Sequence, residues 1–66
     1  MKIEVNGSEF DVSEHITVEN LIKELKLDIK STAVAVNKAI VSRSAYKDFS
    51  LKGKDKVDLV TIAPGG

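Results

Sequence analysis

Asn6-Gly7, set between two runs of alternating apolar and polar residues, constrains the fold of this chain more than any other feature. Ile3 and Val5 alternate with Lys2, Glu4 and Asn6, the period-two pattern of a strand with one buried face. Phe10 and Val12 resume the alternation beyond the glycine. Asn-Gly suits the two positive-φ positions of a type I′ turn, whose twist matches that of the strands it joins. The chain therefore starts with an antiparallel hairpin. The period then changes: Val18, Leu21, Ile22 and Leu25 recur at i, i+3, i+4 and i+7, one apolar stripe on a helix.

Thr17 is the expected N-cap, Glu19 lies in the first turn where the macrodipole favours an anion, and Glu19 with Lys23 forms an i,i+4 pair. The stripe ends after Leu27, because Asp28 to Thr32 is polar except for Ile29. A helix of about two to three turns needs a sheet to hold it. Ala33-Val34-Ala35-Val36 has strand length, Asn37-Lys38 can turn the chain, and Ile40-Val41 can return as a short strand. Tyr46, Phe49 and Leu51 lie in an irregular stretch and are expected to plug one end of the core. Gly53-Lys54-Asp55 supplies a turn, and Val57 to Ile62 makes the last strand.

Two hairpins with a helix between them assemble as one mixed sheet, with the last strand beside the first in its middle. The predicted class is α+β: a β-grasp of four to five strands with one main helix packed on one sheet face. It spans residues 1–66 as a single domain, with 63–66 as an extended tail. A ferredoxin-like split βαβ would need a second full helix. Only Ser42 to Phe49 could supply one, and that segment is too short and poorly patterned.

Composition removes several function classes. The chain has no cysteine and a single histidine, His15, so thiolate or histidine metal sites are not expected. Ten Lys and Arg balance ten Asp and Glu, which leaves no net field for nucleic acid or an acidic membrane. Lys47, Lys52, Lys54 and Lys56 gather, but Asp48, Asp55 and Asp58 are interleaved with them as a mixed, solvated face. Glu4, Glu9, Asp11, Glu14 and Glu24 show no pairing that marks a catalytic site. No apolar run approaches the roughly twenty residues of a membrane span. The sequence enters its first strand without a signal-like stretch, so a cytoplasmic location is expected.

The last strand has apolar residues on both faces. Val57 and Leu59 fit the helix side, which puts Val60 and Ile62 on the open side. A chain with one helix cannot bury both faces, so Val60 and Ile62 are expected to form a partner-binding patch. Pro64 stops strand pairing and favours an extended Ala63. From Ala63 to Gly66 the chain can reach up to roughly 13 Å, and glycine enters clefts too narrow for a side chain. Pro64, Gly65 and Gly66 are thus the expected tail that enters a partner's active site, with the carboxylate at Gly66 as the deliverable group.

Together, Ala35-Val36-Asn37-Lys38, Val41-Ser42-Arg43-Ser44, Tyr46 and Gly65-Gly66 resemble the ThiS family, the ubiquitin-like sulfur carriers of thiamine biosynthesis. The likeness covers essentially the whole chain. Ser42 stands where a proline is common before the arginine, and Pro64 before Gly65-Gly66 echoes the related MoaD family of molybdopterin synthase subunits. The resemblance implies a carrier, not an enzyme, with no bound cofactor. A ThiF-like adenylyltransferase of the ubiquitin-activating type would use Mg-ATP to adenylate Gly66. Sulfur from a donor protein would convert it to a thiocarboxylate, and a ThiG-like thiazole synthase would receive that sulfur. Arg43 lies in the matching motif, where its fork suits a partner carboxylate or, alternatively, nearby backbone carbonyls. A MoaD-like carrier, a ubiquitin-like protein modifier and a plain interaction module are the alternatives.

Overall fold

The computed structural model describes residues 1–62; Ala63, Pro64, Gly65 and Gly66 lie outside the described residues. Among the described residues, five strands form a single sheet: β1 (Lys2–Val5), β2 (Ser8–Asp11), β3 (Thr32–Val36), β4 (Ala39–Val41) and β5 (Lys56–Thr61), in the order β2-β1-β5-β3-β4. Only β1 and β5 pair in parallel; the other neighbours are antiparallel. This is the mixed α+β sheet of the β-grasp expectation, with the last strand in its middle.

Both hairpins turn as their sequences demand. Asn6 and Gly7 have φ of 49° and 85°, and Asn37 and Lys38 have φ of 52° and 70°. Positive φ at both central residues is the type I′ geometry.

The helix α1 (Val18–Glu24) buries Val18, Leu21 and Ile22. Thr17 caps it, its Oγ1 accepting the Asn20 N–H at 3.2 Å, and Lys23 approaches Glu19 at 3.5 Å. The helix ends through two backbone bonds, Lys26 N–H to the Lys23 carbonyl at 3.0 Å and Leu27 N–H to the Ile22 carbonyl at 3.1 Å. This is the Schellman arrangement, which requires the left-handed conformation that Lys26 adopts at φ 59°.

The core fills the space between α1 and one sheet face, with Ile3, Val5, Val34, Val36, Val57 and Leu59 supplied by the strands. Tyr46 and Leu51 close one end as expected, with Phe49 packed against them in part. The irregular stretch is tied to the helix start by Val18 N–H to the Phe49 carbonyl and Glu19 N–H to the Tyr46 carbonyl.

The segment after the helix differs from its polar reading. Asp28 caps a short 3-10 turn (Ile29–Ser31), and Thr32 is fully buried. Its hydroxyl donates to the Asp28 carbonyl at 2.7 Å, and its own carbonyl accepts the Tyr46 hydroxyl at 2.8 Å. A threonine hidden in this way costs little because each polar atom is partnered. Asp55 also departs from the solvated reading. Its carboxylate accepts the Lys52 N–H at 2.8 Å and the Asn37 side-chain amide at 3.0 Å, so it brackets the turn into β5.

Candidate functional site

Alternation along β5 separates the two valines of that strand. Val57 and Leu59 are turned to the helix and buried, whereas Val60 is 60% exposed and Ile62, just past the strand, 58%. Register then recruits neighbours from two more strands. Ala33 of β3 lies opposite Val60, Ala35 lies opposite both Asp58 of β5 and Ile40 of β4, and Ile40 is 85% exposed. The two alanines are short, so the surface dips between the larger side chains. Ala33, Ala35, Ile40, Asp58 and Val60 line a shallow depression of about 120 Å³.

The other half of the same face is charged. Lys2 and Glu4 of β1 stand opposite Asp11 and Glu9 of β2, and Lys2 approaches Glu9 at 3.6 Å. Exposed pairs of this kind contribute about 0–1 kcal/mol, so this half is a solvated surface and adds little to the hold on the fold. The open face is therefore divided: an apolar strip of Val60, Ala33, Ala35 and Ile40, edged by Asp58, and a polar field over β1 and β2.

Of the residues singled out from the sequence, Val60 and Ile62 come together on this face. Arg43 does not sit among them. It follows β4 in a 3-10 turn (Arg43–Ala45), on the far side of β3 from β5. It is exposed and enters none of the ion pairs among the described residues. Pro64, Gly65 and Gly66 lie outside the described residues. Ile40 was the member that pattern reading missed. Its position was implicit in the second hairpin, since Val41 pairs with buried Val34 and the preceding residue must face the other way.

Two asparagines were also missed, although both were read as turn residues. The Asn6 side chain bonds both backbone groups of Leu59, and the Asn37 Oδ1 accepts the Lys56 N–H at 3.0 Å. Each turn thus reaches across to β5, one near its start and one toward its end. Among the described residues, no three His, Asp or Glu side chains gather to hold a metal, and no helix is long and apolar enough to cross a membrane.

Comparison with known proteins places this geometry. A model of the ThiS family matches residues 2–66. The crystal structure of a thiamine biosynthesis protein, ThiS, from Geobacter metallireducens superposes with a TM-score of 0.85 at 28% identity, covering all of both chains. A solution structure of a thiamine biosynthesis protein from the same organism gives 0.80 at 29% identity, over all of this chain and 88% of that one. A thiazole synthase of Paramagnetospirillum magneticum is 38% identical over 66 residues, and one of Magnetococcus marinus is 35% identical. All of this chain is matched in each, but it spans only 20% of the length of these curated relatives. The uncharacterized protein ycf40 of Porphyra purpurea is 26% identical over this whole chain and 93% of its own length.

Proposed function

The chain belongs to the ThiS family, and from that membership we propose that it is a sulfur carrier protein of thiamine biosynthesis, a substrate of partner enzymes and itself no enzyme. The observation that carries this reading is the extent of the family match, which takes in residues 2–66 and so includes Gly65-Gly66.

The chemistry follows from a carboxyl group at Gly66. Ionised at neutral pH, it is a poor electrophile. A ThiF-like adenylyltransferase, holding Mg-ATP, joins a carboxylate oxygen to the α-phosphorus and releases pyrophosphate. The adenylate is a good leaving group. The terminal sulfur of a persulfide on the donor protein attacks the acyl carbon and AMP departs; a thiol then cleaves the resulting acyl disulfide, which leaves a thiocarboxylate on Gly66 and a disulfide on the donor. A ThiG-like thiazole synthase then takes the sulfur. Two thiazole synthases that each contain a stretch similar to this whole chain support that receiver.

The apolar strip is the docking surface in this scheme. Val60 and Ile62 lie immediately before the tail, joined on the same face by Ile40, Ala33 and Ala35. An exposed apolar cluster edged by charged residues marks a place where a partner sits. In this reading docking there delivers Pro64, Gly65 and Gly66 to the partner's active site, and Arg43, in the 3-10 turn after β4, offers its guanidinium fork to a partner carboxylate.

Intact-mass spectrometry of the protein from its native host, under non-reducing conditions, tests the reading. The expected result is a population heavier by one oxygen-to-sulfur exchange, mapped to Gly66. An unmodified mass that persists with ATP, adenylyltransferase and sulfur donor supplied would overturn it. Isopeptide adducts to lysines of other proteins would point to a modifier instead, and co-purification with a molybdopterin synthase subunit to a MoaD-like carrier.

A further inference from the structure

Strands β1 and β5 pair at only two positions, Glu4↔Lys56 and Val5↔Val57. Beyond Val5 the backbone turns through Asn6 and Gly7 to begin β2, yet β5 continues to Thr61. The backbone groups of β5 alternate in direction. The carbonyls of Asp55 and Val57 accept from the Glu4 and Asn6 N–H groups at 2.9 Å, on the β1 side. The carbonyl of Lys56 and the N–H of Ile62 bond to Asn37 and Ser31, on the β3 side. Leu59 therefore points its N–H and C=O into the lane that β1 has left.

The Asn6 side chain fills that lane. Its Oδ1 accepts the Leu59 N–H at 2.8 Å, and its Nδ2 donates to the Leu59 carbonyl at 3.2 Å. A carboxamide offers the same donor and acceptor as a peptide bond, so the ladder gains one more step without a strand. We propose that Asn6 is a positioning residue: its side chain holds β5 straight past the hairpin turn and so sets how Val60 and Ile62 are presented at the end of the sheet. The functional half of this proposal rests on the carrier reading. The turn alone does not account for the residue, since glycine satisfies φ 49° as well and would leave Leu59 unpaired.

That equivalence supplies the test. Asn6→Gly keeps the type I′ turn and deletes both bonds; Asn6→Asp keeps the turn and an acceptor for the Leu59 N–H, but no donor. Native-state amide exchange is followed by NMR on the full chain and both variants. In N6G the Leu59 amide exchanges about tenfold faster, the equivalent of one net hydrogen bond, with a smaller change in N6D and none in α1. Equal Leu59 exchange in all three proteins overturns the proposal. Uniform acceleration of every amide overturns it too, because it would mark a loss of global stability. If N6G fails to fold, N6D alone decides at the Leu59 amide.

ATP–pyrophosphate exchange with the adenylyltransferase reads the function. N6G raises KM for the carrier about fivefold with kcat unchanged, because fewer molecules present Val60 and Ile62 in the arrangement that docks. An unchanged KM, with the wild type turned over, overturns the positioning role. A wild type that is never turned over sinks the carrier reading, and the Leu59 amide then judges the Asn6 clamp by itself.

Discussion

Val57 and Val60 are the same side chain on the same strand, and they face opposite fates. Val57 is 1% exposed against the helix, while Val60 is solvated beside Ala33. An aspartate at 57 would bury an unpaired charge and is expected to leave the chain unfolded. Val60→Asp should change stability by no more than about 0.5 kcal/mol, the usual range for surface sites. It should nonetheless weaken docking to the adenylyltransferase at least tenfold, by calorimetric titration. Unfolding of Val60→Asp would reverse the facing of β5. Tyr46 makes a different kind of contribution, a hydroxyl that partners the buried Thr32 carbonyl. Tyr46→Phe leaves that carbonyl unpaired and should cost about 1–3 kcal/mol in urea unfolding.

The elements are short and depend on their ends. Helix α1 has seven residues, so its cap and its termination are a large share of what holds it. Thr17→Ala removes the bond to Asn20 and is expected to cost about 1 kcal/mol. Lys26 and Lys38 both hold the left-handed conformation without being glycine, one at the end of the helix and one in the second hairpin. That conformation costs an L-residue roughly 1–2 kcal/mol, part of which glycine returns as a more flexible unfolded chain. Lys26→Gly and Lys38→Gly should each therefore stabilise by about 0.5–1 kcal/mol, seen as a melting temperature several degrees higher. A fall in either would show that the lysine side chain itself holds the turn. The elements were the most legible part of the chain, because Asn-Gly, the helical stripe and Thr17 are local signals. Thr32 was not legible, since what makes it buried is Tyr46, fourteen residues away.

At the scale of the whole molecule, Tyr46 and Leu51 belong to the core of the described residues 1–62. Deleting Gly65 and Gly66 should leave the urea midpoint unchanged and abolish adenylation; a loss of stability would tie the tail to the fold. Gly65→Val should likewise fold and fail in adenylation, measured by pyrophosphate exchange, and normal turnover would sink the narrow-channel argument. The sequence by itself determined the elements, the split of β5 into a core face and an open face, and the family. The elements and the split rest on periodicity and turn chemistry carried within a few residues, and the family on the likeness that runs through residues 2–66. Only the tertiary structure decided that Ile40 joins Val60 on one strip, that Asp55 brackets a turn, and that the Asn6 carboxamide reaches Leu59, fifty-three residues on. Those outcomes are set by strand register and sheet order, which bring together groups far apart in the chain and leave no local mark on either.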